Sequence, residues 1–389
     1  MKKILIAAHY NMNNGDRAVL EATVLKIKEK FGDDISIVVS AAYPQFLKDE
    51  RFLTVGWPVR NNRIVRWMFN RCIKYLSLKK FKTTLPIWID SQYYKAVRDS
   101  DAVFISGGHH LTDILGIGNY YALAINYLVP IFMDKPVFLL PQSIGTMKKE
   151  NRKEICNVEY ILKNVKKIAY RDLSSKKFLE SLNINKNVIY VPDIVFSIKP
   201  KAIERKRKSI AVALYCSYVE EKKKLLDVTI PNLKKILRKM IENGYDIHLI
   251  SMDTNDVESA NDIANDLRLV GGSEVFVYSG MNDIKETISL FSGHDLVLAY
   301  KTHSVVFSLI NRTPVIAIAY HPKSIYFMQD IGLGKYAIND CDACEEKMMP
   351  LIEDALDNIE SIKKIEDEGV GNNVKIINEF MDDVLSEEI

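Results

Sequence analysis

The 389-residue chain is 48% hydrophobic and carries 53 basic against 50 acidic residues, a net charge of +3. That much apolar material fills two ordinary cores, so two domains are expected, and so mild a charge excludes a general nucleic-acid binder. The five cysteines are odd in number and scattered, which makes a poor disulfide framework and fits a reducing cytoplasm.

The first residues, Met1 to Ala8, imitate a signal peptide until the apolar run stops at His9, Tyr10 and Asn11. They read as a buried strand, Lys2–His9. A helix follows over 16–31 and a strand over 35–40. Between them and the next strand lies a stretch with an unusual bias. From Phe52 to Ile89 there are eight Lys or Arg and no Asp or Glu, interleaved with Trp57, Trp67, Phe69, Tyr75, Phe81 and Trp88. Two readings stay open: peripheral contact of 57–88 with anionic lipid at the inner face of a membrane, or a solvated helix over the core. No run reaches the roughly 18 apolar residues needed to span a bilayer.

Strands then read over 101–106, 136–141, 167–170 and 187–191. Continuous apolar strands alternating with amphipathic stretches imply a parallel sheet covered on both faces. A charged stretch, 199–208, has the composition of a linker. The same grammar restarts beyond it, with strands at 209–214, 247–251, 275–278, 296–300 and 315–319 and helices at 231–243 and 253–267. A last helix is read over 374–385. The fold class expected is α/β, with two Rossmann-like parallel-sheet domains facing across a cleft, as in the GT-B arrangement. The boundaries are 1–198 for an acceptor-side domain and 209–370 for a donor-side domain. Residues 371–389 form a C-terminal helix that packs back on the first domain. Cys341-Asp342-Ala343-Cys344 is a lone CxxC without a second ligand pair, so it reads as structural.

Open parallel sheets bind ligands at the carboxyl ends of their strands, and polar clusters sit at those ends here. Asn13-Asn14-Gly15-Asp16 opens the first helix; Asp16 is either a substrate contact or the helix N-cap. Gly107-Gly108-His109-His110 follows the 101–106 strand. Two adjacent histidines without a carboxylate at ligand spacing make a poor metal site, so substrate contact is the functional reading and no metal is expected. Arg171, before Asp172, suits a phosphate or carboxylate through its fork; the bland alternative is a salt bridge to Asp172 or another carboxylate. Lys301-Thr302-His303 follows the 296–300 strand. There Thr302 is read as the cap of a helix whose N-terminus attracts anions, Lys301 as a point charge, and His303 as a proton carrier. Lys323, after Tyr320-His321-Pro322, adds a second cation to that rim.

In order and spacing these pieces resemble the polysaccharide pyruvyl transferase family: Asn14-Gly15-Asp16, Gly107-Gly108, Pro141-Gln142-Ser143-Ile144-Gly145, Arg171-Asp172, Val191-Pro192-Asp193, Lys301-Thr302-His303, Thr313-Pro314-Val315 and Tyr320-His321-Pro322-Lys323. The resemblance implies transfer of a pyruvyl ketal from phosphoenolpyruvate to a sugar of a cell-surface or lipid-linked saccharide. It implies phosphoenolpyruvate as donor substrate, with no other cofactor. It gives His303 the catalytic role and a substrate-binding role to Arg171, Lys301, Lys323, Asn14, Asp16, Gly107, Gly108, His109, His110, Gln142, Ser143 and Thr302. The family's histidine motif normally begins with Arg, and this chain has Lys301. The family's third glycine is here His109. Two rivals share the pattern: a GT-B glycosyltransferase using a nucleotide sugar, and a lapsed saccharide-binding protein.

Overall fold

Near-continuous apolar strands leave no polar face to offer water, and the chain covers both faces with helices. The computed structural model describes residues 1–10, 13–201, 208–215, 220–253, 256–279, 283–320 and 322–386. The chain divides into two compact units. One gathers 16–197 with the N-terminal strand and the residues from Ile376 on, and the other gathers Asn13–Gly15 and 198–375.

The first unit runs β1 (Lys2–His9), α1 (Asn14–Phe31), β2 (Ile35–Ala41), β3 (Leu53–Val55), α2 (Arg63–Cys72), α3 (Leu78–Trp88), α4 (Ser91–Arg98), β4 (Ala102–Ile105), β5 (His109–His110), α5 (Ile117–Phe132), β6 (Val137–Ile144), α6 (Arg152–Lys163), β7 (Lys167–Tyr170), α7 (Leu173–Ser181) and β8 (Val188–Tyr190). The strands lie in the order β3-β2-β1-β4-β6-β7-β8, with β5 paired to β6, and every pairing is parallel. Leu5 stands beside Val103, and Val103 beside Val137. These three belong to one apolar cluster with Phe81, Trp88 and Tyr127 from the helices.

The second unit runs β9 (Ser209–Ala213), α8 (Glu220–Glu242), β10 (Asp246–Ser251), α9 (Asp256–Arg268), β11 (Val275–Ser279), α10 (Ile284–Ser289), β12 (Leu296–Ala299), α11 (Thr302–Ile310), β13 (Val315–Ala319), α12 (Pro322–Ile331), β14 (Ala337–Asn339), α13 (Glu345–Asp357) and α14 (Ile359–Ser386). Its sheet is again wholly parallel, in the order β11-β10-β9-β12-β13-β14. Val212 of β9 is flanked by Leu249 and Leu298. In both sheets the strand order reverses beside the first strand, at β1/β4 and at β9/β12. Doubly wound sheets open a crevice at such a reversal.

Several expected elements differ from those observed. The helix read over 231–243 begins at Glu220 and keeps Pro231 in its interior; a proline forfeits a backbone hydrogen bond but does not oblige a helix to start there. The helix read over 374–385 is the end of α14, which already starts at Ile359. Gly369 hid the continuation, because glycine is a poor helix former. Its lack of a side chain lets α14 approach α12, where a Cβ would stand 2.8 Å from Ile331 Cγ2. From Ile376 on, α14 belongs with the first unit, where Asp382 pairs with Lys30 at 3.2 Å and Asp383 with Lys167. The linker expected at 199–208 falls mostly on 202–207, outside the described residues, as do His321 and Cys216. Cys341 and Cys344 are free thiols.

Candidate functional site

In the first unit the polar clusters gather at the carboxyl edge of β4, β6 and β7. Gly107 follows β4, and a Cβ there would stand 2.8 Å from the Pro141 carbonyl oxygen, so only glycine allows the two loops to approach. Gly145 has φ of 74° and lies against the Phe178 ring, which excludes a side chain twice over. His109 and His110 form the short strand β5 beside Ser143 and Ile144. The His109 imidazole meets the Gly145 carbonyl oxygen, while buried His110 bonds Tyr127 Oη through Nδ1 at 2.8 Å. Tyr127 Oη also meets Gln142 Oε1 at 3.1 Å. The sequence reading put both histidines on substrate; the structure gives each a protein partner.

Arg171 stands at the end of β7 and is buried. Its guanidinium pairs with Asp193, donates to the Gly108 carbonyl oxygen at 3.1 Å, and reaches Ser143 Oγ at 3.3 Å. Ser143 Oγ donates to Asp172 Oδ2 at 2.5 Å, and Asp172 caps α7 by accepting from Ser175 N at 2.8 Å. A fork expected to receive a substrate anion is thus engaged by an internal carboxylate. That carboxylate is Asp193, 22 residues onward, rather than the neighbouring Asp172. Asp16 sits in the first turn of α1, which begins at Asn14, so it is not the N-cap. The cap position is set by where the backbone turns helical, and that happens two residues earlier.

In the second unit the cluster forms where β9, β10, β12 and β13 end. Lys301 is the N-cap of α11, with extended φ and ψ of −89° and 141° and no side-chain cap. Thr302 is therefore the first helical residue rather than the cap, and its hydroxyl meets Ser324 Oγ at 3.1 Å instead. That contact ties the start of α11 to the start of α12, where Lys323 lies. Lys301 Nζ pairs with the fully buried Asp256 at 2.6 Å, has Asp253 at 3.9 Å, and sits over the Tyr215 ring at 5.6 Å. Tyr215 stacks on Tyr320 at 4.1 Å. Burial pushes the Tyr320 phenol up, with a smaller push from Tyr215, so it stays protonated. His303, half-buried in the first turn of α11, packs on Phe307 at 6.5 Å. Gly15, which groups with this unit, lies so close that a Cβ would overlap the His303 ring. Buried Asn14 precedes it.

Asp193, Tyr127, Asp253, Asp256 and Tyr215 belong to these clusters and were not among the expected site residues. Asp193 alone left a signal, standing in Val191-Pro192-Asp193 at a strand end. Asp256 is 45 residues from Lys301 in sequence, and only the order β10-β9-β12 brings them together.

Residues 13–322 match the family model described as polysaccharide pyruvyl transferase. The amylovoran biosynthesis protein AmsJ of Erwinia amylovora is 23% identical over 402 aligned positions, covering 94% of each chain. Among solved structures, a Listeria monocytogenes protein provisionally assigned as a UDP-N-acetylglucosamine 2-epimerase superposes with a TM-score of 0.60 at 11% identity, covering 100% of this chain and 98% of its own. The N-terminal domain of trehalose-6-phosphate phosphatase from Candida albicans gives 0.56 at 12% identity, covering 100% and 97%. At such identities these structures speak for the GT-B-like fold alone.

Proposed function

This chain belongs to the polysaccharide pyruvyl transferase family, and on that premise we propose that it moves a pyruvyl group from phosphoenolpyruvate to a sugar as a cyclic ketal. The observation that supports the reading is the Thr302–Ser324 hydroxyl contact, which ties the start of α11, bearing Lys301 and His303, to the start of α12, bearing Lys323, as one proposed rim. The first turn of α11 adds partial positive charge to that rim. A doubly anionic donor suits it.

In the proposed reaction the methylene carbon of phosphoenolpyruvate takes a proton, leaving an oxocarbenium-like centre at the carbon that bears phosphate. One sugar hydroxyl adds there, forming a C–O bond and releasing its proton. The bond to phosphate breaks, and a second hydroxyl closes the ketal with loss of its own proton. The net products are the ketal and inorganic phosphate. His303 is the acid–base group; a positioned group of this kind contributes roughly 10²–10⁴-fold. Lys301, held by Asp256, and Lys323 supply positive charge for the donor. Asn14 and Gly15 line the His303 side. On the acceptor side Arg171 holds the Gly108 carbonyl, and Gln142, Ser143, His109 and His110 shape the loops that a sugar would meet.

The test is incubation with phosphoenolpyruvate and a bacterial glycan, following phosphate release and the mass gain of one ketal. His303→Ala is expected to abolish both with the fold retained. Ketal formation at the wild-type rate in that variant, or a thermal shift with nucleotide sugars and none with phosphoenolpyruvate, would overturn the reading.

A further inference from the structure

We propose that the first unit docks on an anionic lipid bilayer through the surface formed by α2, the turn at Ile73–Tyr75, and α3. All eight cations of this region, Arg60 to Lys82, have exposed side chains. Among the described residues no ion pair is made by any of them. The region therefore carries eight positive charges on a chain whose total is only +3, so the remainder of the molecule is net acidic. Solvation alone would explain such a face if its other residues were polar, but they are not. Ile64 is 68% exposed, Trp67 57% and Tyr75 78%, and Met68 and Ile87 are exposed beside them. The buried partners of these helices, Phe69, Phe81 and Trp88, already fill the core, so the exposed residues are surplus to folding.

The arrangement of charge and ring is interfacial. Arg71 lies over the Trp67 ring at 4.9 Å, and Lys74 over the Tyr75 ring at 4.9 Å. Aromatic rings with basic side chains beside them suit the headgroup level of a bilayer, where the cations meet lipid phosphate and the apolar atoms leave water. Exposed aliphatic side chains argue for lipid over nucleic acid, which offers base faces for rings to stack on but nothing for Ile64, Met68 and Ile87 to enter. Among the described residues no helix is long and apolar enough to cross a membrane, so the contact is a surface one.

The surface is also joined to the carboxyl edge of the sheet. Lys153 Nζ donates to the Lys74 carbonyl oxygen at 2.5 Å, Lys148 N donates to Asp113 Oδ2 at 2.8 Å, and Gly145 N donates to the His110 carbonyl oxygen at 3.1 Å. Ile114 and Leu115, the next residues after Asp113, are exposed too. A bilayer under α2 and α3 thus adjoins the loops assigned above to the acceptor. If that assignment holds, the acceptor is carried by a lipid; the docking itself does not depend on it.

The experiment is flotation of the full chain with vesicles of phosphatidylglycerol and phosphatidylcholine, and with phosphatidylcholine alone, at about 0.1 M salt where exposed charges still act over roughly 10 Å. Binding is expected only to the anionic vesicles, with a blue shift of Trp67 emission. Arg63→Gln/Arg66→Gln/Lys74→Gln is expected to lower the partition coefficient about a hundredfold, at roughly fivefold per cation lost. Ile64→Ser/Trp67→Ser/Tyr75→Ser, with charge unchanged, is expected to weaken binding at least tenfold while circular dichroism stays that of wild type. Equal flotation of the charge variant, no flotation of the wild type, or displacement from vesicles by a single-stranded RNA oligonucleotide would overturn the proposal. Ketal formation on a soluble saccharide is assayed beside it and is expected to be unchanged in both variants, so failure of docking is told apart from failure of the transferase reading.

Discussion

Replacing His9 tests whether the carboxyl edge of the first sheet holds a neutral imidazole. His9 ends β1 and is 1% exposed, and neither ring nitrogen meets a partner among the described residues. Burial first, and the charge of Arg17 second, lower its pKa from 6.5 to about 3. Between those two values the unfolded chain binds a proton that the folded chain refuses, so stability rises with pH across that window. From pH 7.5 down to pH 5 this one group should remove about 2 kcal/mol, and about 4 kcal/mol by pH 3. His9→Leu has no proton to bind and no polar atom left without a partner. It should match or exceed wild type at pH 7.5 by about 1 kcal/mol, and the gap should widen by about 2 kcal/mol at pH 5. Urea unfolding followed by tryptophan fluorescence suits the question, because Trp57, Trp67 and Trp88 all lie in the first unit. A gap that stays constant from pH 7.5 to 5 would refute the reasoning, since the imidazole would then titrate alike folded and unfolded.

Three further outcomes follow from buried or crowded groups. Glu366 of α14 is 0% exposed with neither carboxyl oxygen paired among the described residues, and burial raises its pKa well above the ordinary range against the opposing pull of Arg312 and Lys363. The folded chain therefore keeps a proton that the unfolded chain loses above pH 4.5, and stability falls as pH rises. Calorimetry should show Glu366→Gln gaining on wild type by up to about 1.4 kcal/mol per pH unit above that point. Arg171→Met removes the cation that pairs with the buried Asp193 carboxylate, which should cost about 3–5 kcal/mol. The double variant Arg171→Met/Asp193→Leu should recover most of that loss in the same urea assay. Gly15→Ala forces the His303 imidazole aside, and a displacement of that kind typically costs on the order of 10²-fold in turnover. Wild-type turnover in Gly15→Ala would detach His303 from the chemistry.

Much of the architecture was legible because burial on both faces writes itself as unbroken apolar runs. Lys2–His9, Lys167–Tyr170 and Val315–Ala319 were read to the residue. The short edge strands Leu53–Val55 and Ala337–Asn339 were not, since three residues show neither a run nor an alternation. The clusters were legible for the same topological reason: a polar residue that breaks an apolar run marks a strand end, and strand ends are where these sheets present loops. What stayed hidden was the pairing of charge. Lys301 and Arg171 announce themselves as cations at strand ends, but Asp256 and Asp193 answer them across the sheet, where sequence distance carries no information. The consequence reaches the chemistry. An ammonium engaged by a fully buried carboxylate attracts a phosphate less than a lone lysine does, because part of its field is already spent. In the proposed reaction the pull on an anionic donor then rests more on the first-turn N–H groups of α11. The Thr302–Ser324 contact matters to that proposal because it fixes the start of α11 against the start of α12.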